Sequence, residues 1–356
     1  MAELRSARDY SDRRLMSRRK RFRLFMKAAR LGNPAGQLAV AMMYRTGDGV
    51  TEDHARFFEW CLRAAERGSI NACYVLGTAY ENGDGTERDL DEAIAVYGMA
   101  AAAGHEEARM RLASIYLADP DHSDIAKAIG MFEAAAADGC GFAHNMLYLM
   151  HSCGIGIEVD DLRAFNHLKK AAACGCTDAI YALGCMYGKG GPHTMQDHAR
   201  AFEQYERGAD AGHVGCIAAL GTAYMLGQGT VRDYGEALCL LSEASDLGSG
   251  EALNNLALMY MGGMGAPVDL KTALTLLEEA SDLGSAQATS NLGSMYAMGL
   301  GVKRDRDKAR TMFEQAVSEG HEPARHNLEV LDEESGRSRL FIQNGQGASP
   351  FEMHGR

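Results

Sequence analysis

ATSNLGSMYAMGLGVKRDRDKARTMFEQAVSEGHE, residues 288–322, is the stretch whose reading decides the fold. Ala288, Leu292 and Tyr296 stand four residues apart, which puts them on one face of a helix. Gly299 and Gly301 then break the helix, because glycine takes the left-handed backbone at a helix C-terminus without a Cβ penalty. Asp305 offers an N-cap to a second helix carrying Ala309, Phe313 and Ala316, and Gly320 stops it. The chain repeats this pattern eight times.

Outward from Ala288, the same column runs Gly36, Ala72, Ala108, Ala143, Ala179, Cys216, Ala252, Ala288 and Ala324, at spacings of 35–37 residues. Four residues on comes an aliphatic column, Val40 and then leucine from Leu76 to Leu328. Eight on comes tyrosine, as in Tyr44, Tyr80, Tyr187 and Tyr260, with His151 in its place in the fourth repeat. Between them sits a small residue such as Gly77, Gly184, Gly221, Ala257 or Gly293, and Tyr148 interrupts that column. Glycine within a helix costs roughly 1 kcal/mol against alanine, so its recurrence predicts close helix–helix approach. Second helices begin after Asp53, Asp89, Asp124, Asp160, Asp197, Asp233, Asp269 and Asp305, and they carry alanine columns of their own. No such hairpin can bury both of its faces alone. Stacking covers them, and the product is an α-solenoid.

Composition fits a folded chain: of 356 residues, 46 % are hydrophobic and 24 % charged. No apolar run reaches the roughly 18 residues that a membrane span needs. The first residues, MAELRSARDYSDRRLMSRRKRFRLF, lack the apolar core of a signal peptide, so a cytoplasmic protein is expected. Nine cysteines, an odd number, point to reduced thiols. Net charge is −12, yet residues 1–30 hold eleven Arg or Lys against three acidic residues, a segment of +8 on a body of −20. That basic arm binds an anionic surface or lies against its own acidic body. RRKRFR, Arg18–Arg23, has the look of a nuclear-import or nucleic-acid patch, but Phe22, Phe25 and Ala28 suit a packed capping helix better.

With these columns in place, A-x3-LG-x2-Y-x2-G-x-GV-x2-D-x2-KA, closing on AA-x2-G, resembles the Sel-1-like repeat, a relative of the tetratricopeptide repeat. The resemblance covers residues 36–334, and Gly293 to Ala309 matches almost position for position. It implies an all-α, right-handed, tetratricopeptide-like α-solenoid superhelix of about eight helix-turn-helix repeats of 36 residues. The expected organisation is a basic segment with a capping helix (1–35), eight repeats (36–322), a C-terminal capping helix (323–334) and a flexible tail (335–356). Repeats three to five depart from the pattern through LADPDHSD, through Tyr148 with His151, and through GKGGPHTMQD; altered curvature is the expected consequence.

The resemblance also implies function. Members of this family look like adaptors that assemble protein complexes, with first-helix side chains lining the inner, concave groove. On that basis the partner-binding candidates are Tyr74, Tyr181, Met225, Asn254, Met261 and Met298, together with Asn255, Asn291 and Asn327. Tyrosine gives contact area with a polar tip, and methionine adapts to varied apolar partners. The three asparagines recur in successive repeats, and a carboxamide both donates and accepts, so they could hold the backbone of an extended peptide. The plainer reading is that Asn before Leu-Gly is family wording that stabilises inter-helix turns.

Catalysis is not expected, and neither is a cofactor or metal. Each Gly-x-Gly follows a helix, whereas a phosphate loop follows a strand and opens a helix. Cys140, Cys174 and Cys176 fall at inter-repeat turns near His105 and His213 in register, a zinc-like set. Stacked turns lie roughly 10 Å apart, too far for one ion. Some cysteine-rich members of the family look like β-lactam-binding or β-lactam-hydrolysing proteins, but they carry regular cysteine pairs and an export signal, which this sequence lacks. That reading stands second, and nucleic-acid binding through the basic arm third.

Overall fold

A computed structural model describes residues 18–332, 341–342 and 351–352. The chain divides into two compact units at Asp160/Asp161. The first contains α1 (Arg18–Arg30), α2 (Pro34–Thr46), α3 (His54–Glu66), α4 (Ile70–Asn82), α5 (Leu90–Ala102), α6 (Glu106–Ala118), α7 (Ile125–Ala137) and α8 (Gly141–Cys153). The second contains α9 (Asp161–Ala173), α10 (Thr177–Lys189), α11 (His198–Asp210), α12 (Val214–Leu226) and α13 (Tyr234–Asp246). It continues with α14 (Gly250–Gly262), α15 (Leu270–Asp282), α16 (Ala286–Met298), α17 (Arg306–Ser318) and α18 (Pro323–Asp332). Two short strands, β1 (Phe341–Ile342) and β2 (Phe351–Glu352), pair antiparallel with Phe341 opposite Glu352 and Ile342 opposite Phe351. The remaining residues of the basic arm and of the expected flexible tail lie outside the described residues.

Within each unit every helix packs on the next in sequence, so tandem helix pairs stack as the expected α-solenoid. In the first unit α1 covers α2, and the hairpins α2/α3, α4/α5 and α6/α7 follow one another to α8. In the second, α9 precedes the hairpins α10/α11, α12/α13, α14/α15 and α16/α17, and α18 closes on α17. The alanine columns are the contact points: Ala72, Ala93, Ala108 and Ala128 in one unit, and Ala237, Ala252, Ala273 and Ala288 in the other, are all 0 % exposed. Where helices approach at alanine, larger neighbours close the space. A Cβ on Gly293 would come 2.8 Å from Phe313 Cε1, so the interior glycine is there for room.

The loops are as repetitive as the helices. Asp305 accepts from the Lys308 N–H at 3.0 Å, and its own N–H donates to the Tyr296 carbonyl at 2.9 Å, which ties the cap to the tyrosine column. The six aspartates at 53, 89, 124, 197, 233 and 269 cap in the same way. Gly299, at φ 74°, ends its helix in the left-handed region. Gly301, at φ 67°, sits against the preceding repeat, where a Cβ would lie 2.8 Å from the Leu270 carbonyl oxygen at the start of that repeat's second helix. The second glycine therefore seats one repeat on the one before.

Repeat three has no such glycine, and His122 takes over the joint. Its ring bonds Asp119 in its own loop (2.8 Å) and Asp91 in the first turn of α5 (3.0 Å), the same place on the preceding repeat. In repeat five the longer loop folds on itself through a bridge between Gly191 and Thr194, and Gln196 Nε2 donates to the Gly188 carbonyl at 2.9 Å. Tyr148 occupies the small-residue position in repeat four, the repeat in which the division between the two units falls. At the N-terminus, Arg18 and Arg21 pair with Asp48 of the first repeat, so part of the RRKRFR patch lies against the acidic body.

These joints can be tested by substitution. The Asp119 bond, then the Asp91 bond, hold the His122 imidazole above its ordinary pKa of 6.5. The protonated ring thus favours the fold: its contribution is complete below the unfolded value and is lost as pH rises through the raised folded value. Thermal midpoints of wild type and His122→Ala should therefore differ more at acidic than at alkaline pH, and a gap that widens with pH would contradict the assignment. A second test concerns Gly208, which replaces alanine in α11 where Cys216 replaces alanine in α12: a Cβ at Gly208 would collide with the Cys216 Sγ, an atom that alanine lacks. Gly208→Ala should lower the midpoint, since an overpacking cost of about 1–3 kcal/mol outweighs the helix-propensity gain of about 1 kcal/mol. Adding Cys216→Ala should restore it, which a double-mutant cycle by calorimetry measures.

Candidate docking face

Each first helix turns its anchor alanine and leucine towards its partner helices. The positions two, six and nine residues after the anchor form a separate stripe, at the i, i+4, i+7 spacing of one helix face. In the first unit these rows read Leu38, Met42, Arg45; Tyr74, Thr78, Glu81; and Met110, Ser114, Leu117, and all nine residues are half-buried. In the second unit the row of repeat five, Tyr181, Cys185 and Gly188, is half-buried too. The next three rows are not: Ala218, Thr222, Met225; Asn254, Leu258, Met261; and Ser290, Ser294, Ala297 are buried throughout.

The two tyrosine candidates have definite settings. Tyr74 stacks on His105 with ring centroids 4.7 Å apart, and Tyr181 lies beside His213 at 5.2 Å. Both histidines are helix N-caps: His105 Nδ1 accepts from the Ala108 N–H at 3.2 Å and His213 Nδ1 from the Cys216 N–H at 3.1 Å. Asn33, Ser69, Ser249 and Ser285 hold the same position and cap in the same way. This cap explains the recurring residue after each closing glycine, and it was readable in the sequence as Asn, Ser or His three places before the anchor. Around Tyr181, burial and then the neighbouring Cys185 thiol push its phenol pKa up, and the same two causes raise Tyr205, whose hydroxyl lies 3.8 Å from Cys185 Sγ. Glu251, at the start of α14, is raised by burial, with Lys189 pulling it back.

The asparagines differ from their expected role. Asn254, Asn255, Asn291 and Asn327 are 0–2 % exposed and therefore not presented to an incoming peptide. They join repeats to one another instead. Asn255 Nδ2 donates to Thr222 Oγ1 at 2.9 Å, and the Thr222 hydroxyl donates to the Ala218 carbonyl at 2.9 Å. Asn291 Nδ2 donates to Asn254 Oδ1 at 2.8 Å, and Asn254 Nδ2 reaches Asn255 Oδ1 at 3.3 Å. Asn327 Nδ2 bonds Ser290 Oγ at 3.5 Å. The physical reason is their place on the seam between successive first helices, where a carboxamide's donor and acceptor can serve two repeats at once. Met225 and Met261, members of the buried rows, are likewise buried in the apolar core, while Met298 stays half-buried against the core at the end of α16.

All nine cysteines are free, and burial pushes the Cys61 and Cys216 thiols up to about 12, which keeps them protonated and unreactive. Cys140 and Cys176 occupy N-cap positions. Among the described residues no three His, Cys, Asp or Glu side chains gather where an ion could be held. No helix among them is long and apolar enough to cross a membrane.

A family model described as the Sel1 repeat matches residues 34–69, 70–105, 107–140, 143–176, 177–213, 216–249, 250–285 and 286–321. An uncharacterized protein of Neisseria meningitidis is 29 % identical over 195 residues, 54 % of this chain and 40 % of its own length. Mouse DAP3-binding cell death enhancer 1 is 32 % identical over 111 residues, 26 % of this chain and 22 % of its own. The chain thus spans less than half the length of either relative. Among solved structures, c5321, a protective antigen of uropathogenic Escherichia coli displaying an SLR fold, superposes with a TM-score of 0.73 at 26 % identity. That match covers 86 % of this chain and 66 % of the antigen.

The inter-repeat asparagines generate a prediction opposite to the one a partner-gripping ladder would make. Asn255→Ala with Asn291→Ala leaves buried groups without partners, at about 1–3 kcal/mol each. The double variant should unfold at a clearly lower denaturant midpoint. An unchanged midpoint would mean that these side chains do not hold the repeats together.

Proposed function

Because the chain belongs to the Sel1-repeat family, we propose that it is a non-catalytic scaffold whose first-helix face docks a segment of a partner protein. Sel1-repeat proteins are generally protein-interaction scaffolds, and the mouse relative is by its name a binder of DAP3. The observation that carries the reading is the half-open stripe of repeats one to three. Leu38, Met42, Tyr74, Met110 and Leu117 remain partly exposed there, while the columns that stack the hairpins are shut.

Those side chains are apolar or aromatic and differ from repeat to repeat, so they can supply the few anchors that dominate a peptide interface. Arg45 and Glu81 in the same rows set polar register at its margin. Tyr74 is held by its stack on His105, which lowers the entropy lost when a partner packs on it. Met99, 62 % exposed on the second helix of repeat two, is an apolar side chain away from that stripe and serves as its control.

A photoreactive phenylalanine at Tyr74 or Met110 should cross-link one defined protein in native lysate, and one at Met99 should not. Equal yield from Met99, or none from the two stripe positions, would refute docking on this face.

A further inference from the structure

Repeats two and five carry the same aromatic group. In repeat two, Tyr74 lies 6.0 Å from Tyr97, at 42° between the ring planes, and 4.7 Å from His105. In repeat five, Tyr181 lies 6.4 Å from Tyr205, at 43°, and 5.2 Å from His213. The three residues occupy matching positions: two after the anchor, seven before the closing glycine, and the N-cap of the next first helix. No other repeat has tyrosine two places after its anchor.

The polar surroundings of the two groups differ. In repeat two the chain supplies both a carboxylate and a cation: the Tyr97 hydroxyl donates to Glu81 Oε2 at 2.7 Å, and Arg111 Nη1 lies 3.9 Å from Glu81 Oε1. In the other unit, Gly188 stands in register with Glu81 and Ala219 with Arg111, so both side chains are missing. The Tyr205 hydroxyl turns to Cys185 Sγ instead, at 3.8 Å. A carboxylate nevertheless reaches the group from repeat seven. Burial and the Cys185 thiol come first in raising the Tyr181 and Tyr205 phenols, and the charge of Glu251 adds to both. Burial lifts the Glu251 carboxyl above its ordinary range, and Lys189 offsets this only in part. Among the described residues no cation stands within ion-pairing distance of Glu251.

We propose that Tyr181 and Glu251, on a floor formed by Tyr205, receive one arginine side chain of a segment docked on the second unit. A guanidinium is planar, so it lies on aromatic faces while its N–H groups donate to a carboxylate. It also restores a positive neighbour to a carboxylate that burial has stripped of water. Arg111 beside Glu81 and the Tyr74 group is the same chemistry in intramolecular form. Room exists where the two side chains are missing: a Cβ on Gly188 would already lie 3.5 Å from the Tyr205 hydroxyl oxygen. Tyr181, Cys185, Gly188 and Glu251 are all partly exposed, which leaves the place open to a ligand.

The inference rests on the reading of the first-helix face as a docking surface, and it adds a chemically specific contact in the other unit. The probe is the tripeptide amide acetyl-Ala-Arg-Ala, with its citrulline counterpart, which keeps the shape and lacks the charge. Both are titrated into the full chain labelled with 3-fluorotyrosine, the residue 181 signal being the one lost in Tyr181→Phe. The arginine peptide should shift that signal saturably. The citrulline peptide should bind about tenfold more weakly, and Glu251→Gln should weaken the arginine peptide by about the same factor at unchanged helical circular dichroism. Equal binding of the two peptides would overturn the inference, as would no saturable shift with arginine or full affinity in Glu251→Gln. None of these outcomes touches the cross-linking at Tyr74 and Met110, which lie in the first unit, so the scaffold reading stands or falls on its own experiment.

Discussion

Alanine and glycine at the helix contacts set how closely one hairpin can approach the next, and the rest of the chain accommodates that closeness. With Ala252, Ala273 and Ala288 fully buried at the meeting points, backbones come near enough for one repeat's loop glycine to rest on the previous repeat's helix. The same approach brings first helices side by side in the second unit, so that side chains of different repeats meet. A two-helix unit of this kind has an apolar side that only its neighbour can cover, which makes stability a property of the stack.

The irregular repeats show how that constraint is met by other means. Where repeat three lacks its second glycine, His122 reaches the first turn of α5 and makes with an ion pair the contact that glycine makes by closeness. Where Cys216 enlarges an alanine position, Gly208 opposite is smaller by one methyl group. These pairs are changes of chemistry at constant geometry. Tyr148 is different, for no equivalent small residue stands in its place in repeat four, and nothing in the structure of α8 supplies one.

Buried polar groups follow the same logic. A seam between two helices of a solenoid is dry, and an amide there costs free energy unless each of its groups finds a partner. Asn254, Asn255 and Asn291 satisfy one another and Thr222 across repeats, which holds the register of the array. Their regular recurrence suggested contact with an extended peptide. In the fold that recurrence serves the repeats themselves, because a residue that recurs in each first helix faces the neighbouring repeat across the same seam, where Asn291 meets Asn254 and Asn255 meets Thr222.

The sequence by itself determined the number of hairpins, their caps, their glycine stops and the small-residue contacts, because each of these acts within one repeat or at one fixed period. Through the family resemblance it also marked Tyr74 and Tyr181 as candidate contact positions on the first helices. Only the tertiary structure decided which polar side chains turn into the seam and which rows stay open. Asn255 meets Thr222 at a distance of 33 residues and Asn291 meets Asn254 at 37, so neither pairing is visible in local pattern. The stretch 288–322 shows the division most clearly. Its leucine, glycine and tyrosine columns say how it stacks, whereas the pairing of Ser290 with Asn327 and of Asn291 with Asn254 is decided only by the packing of one repeat on the next.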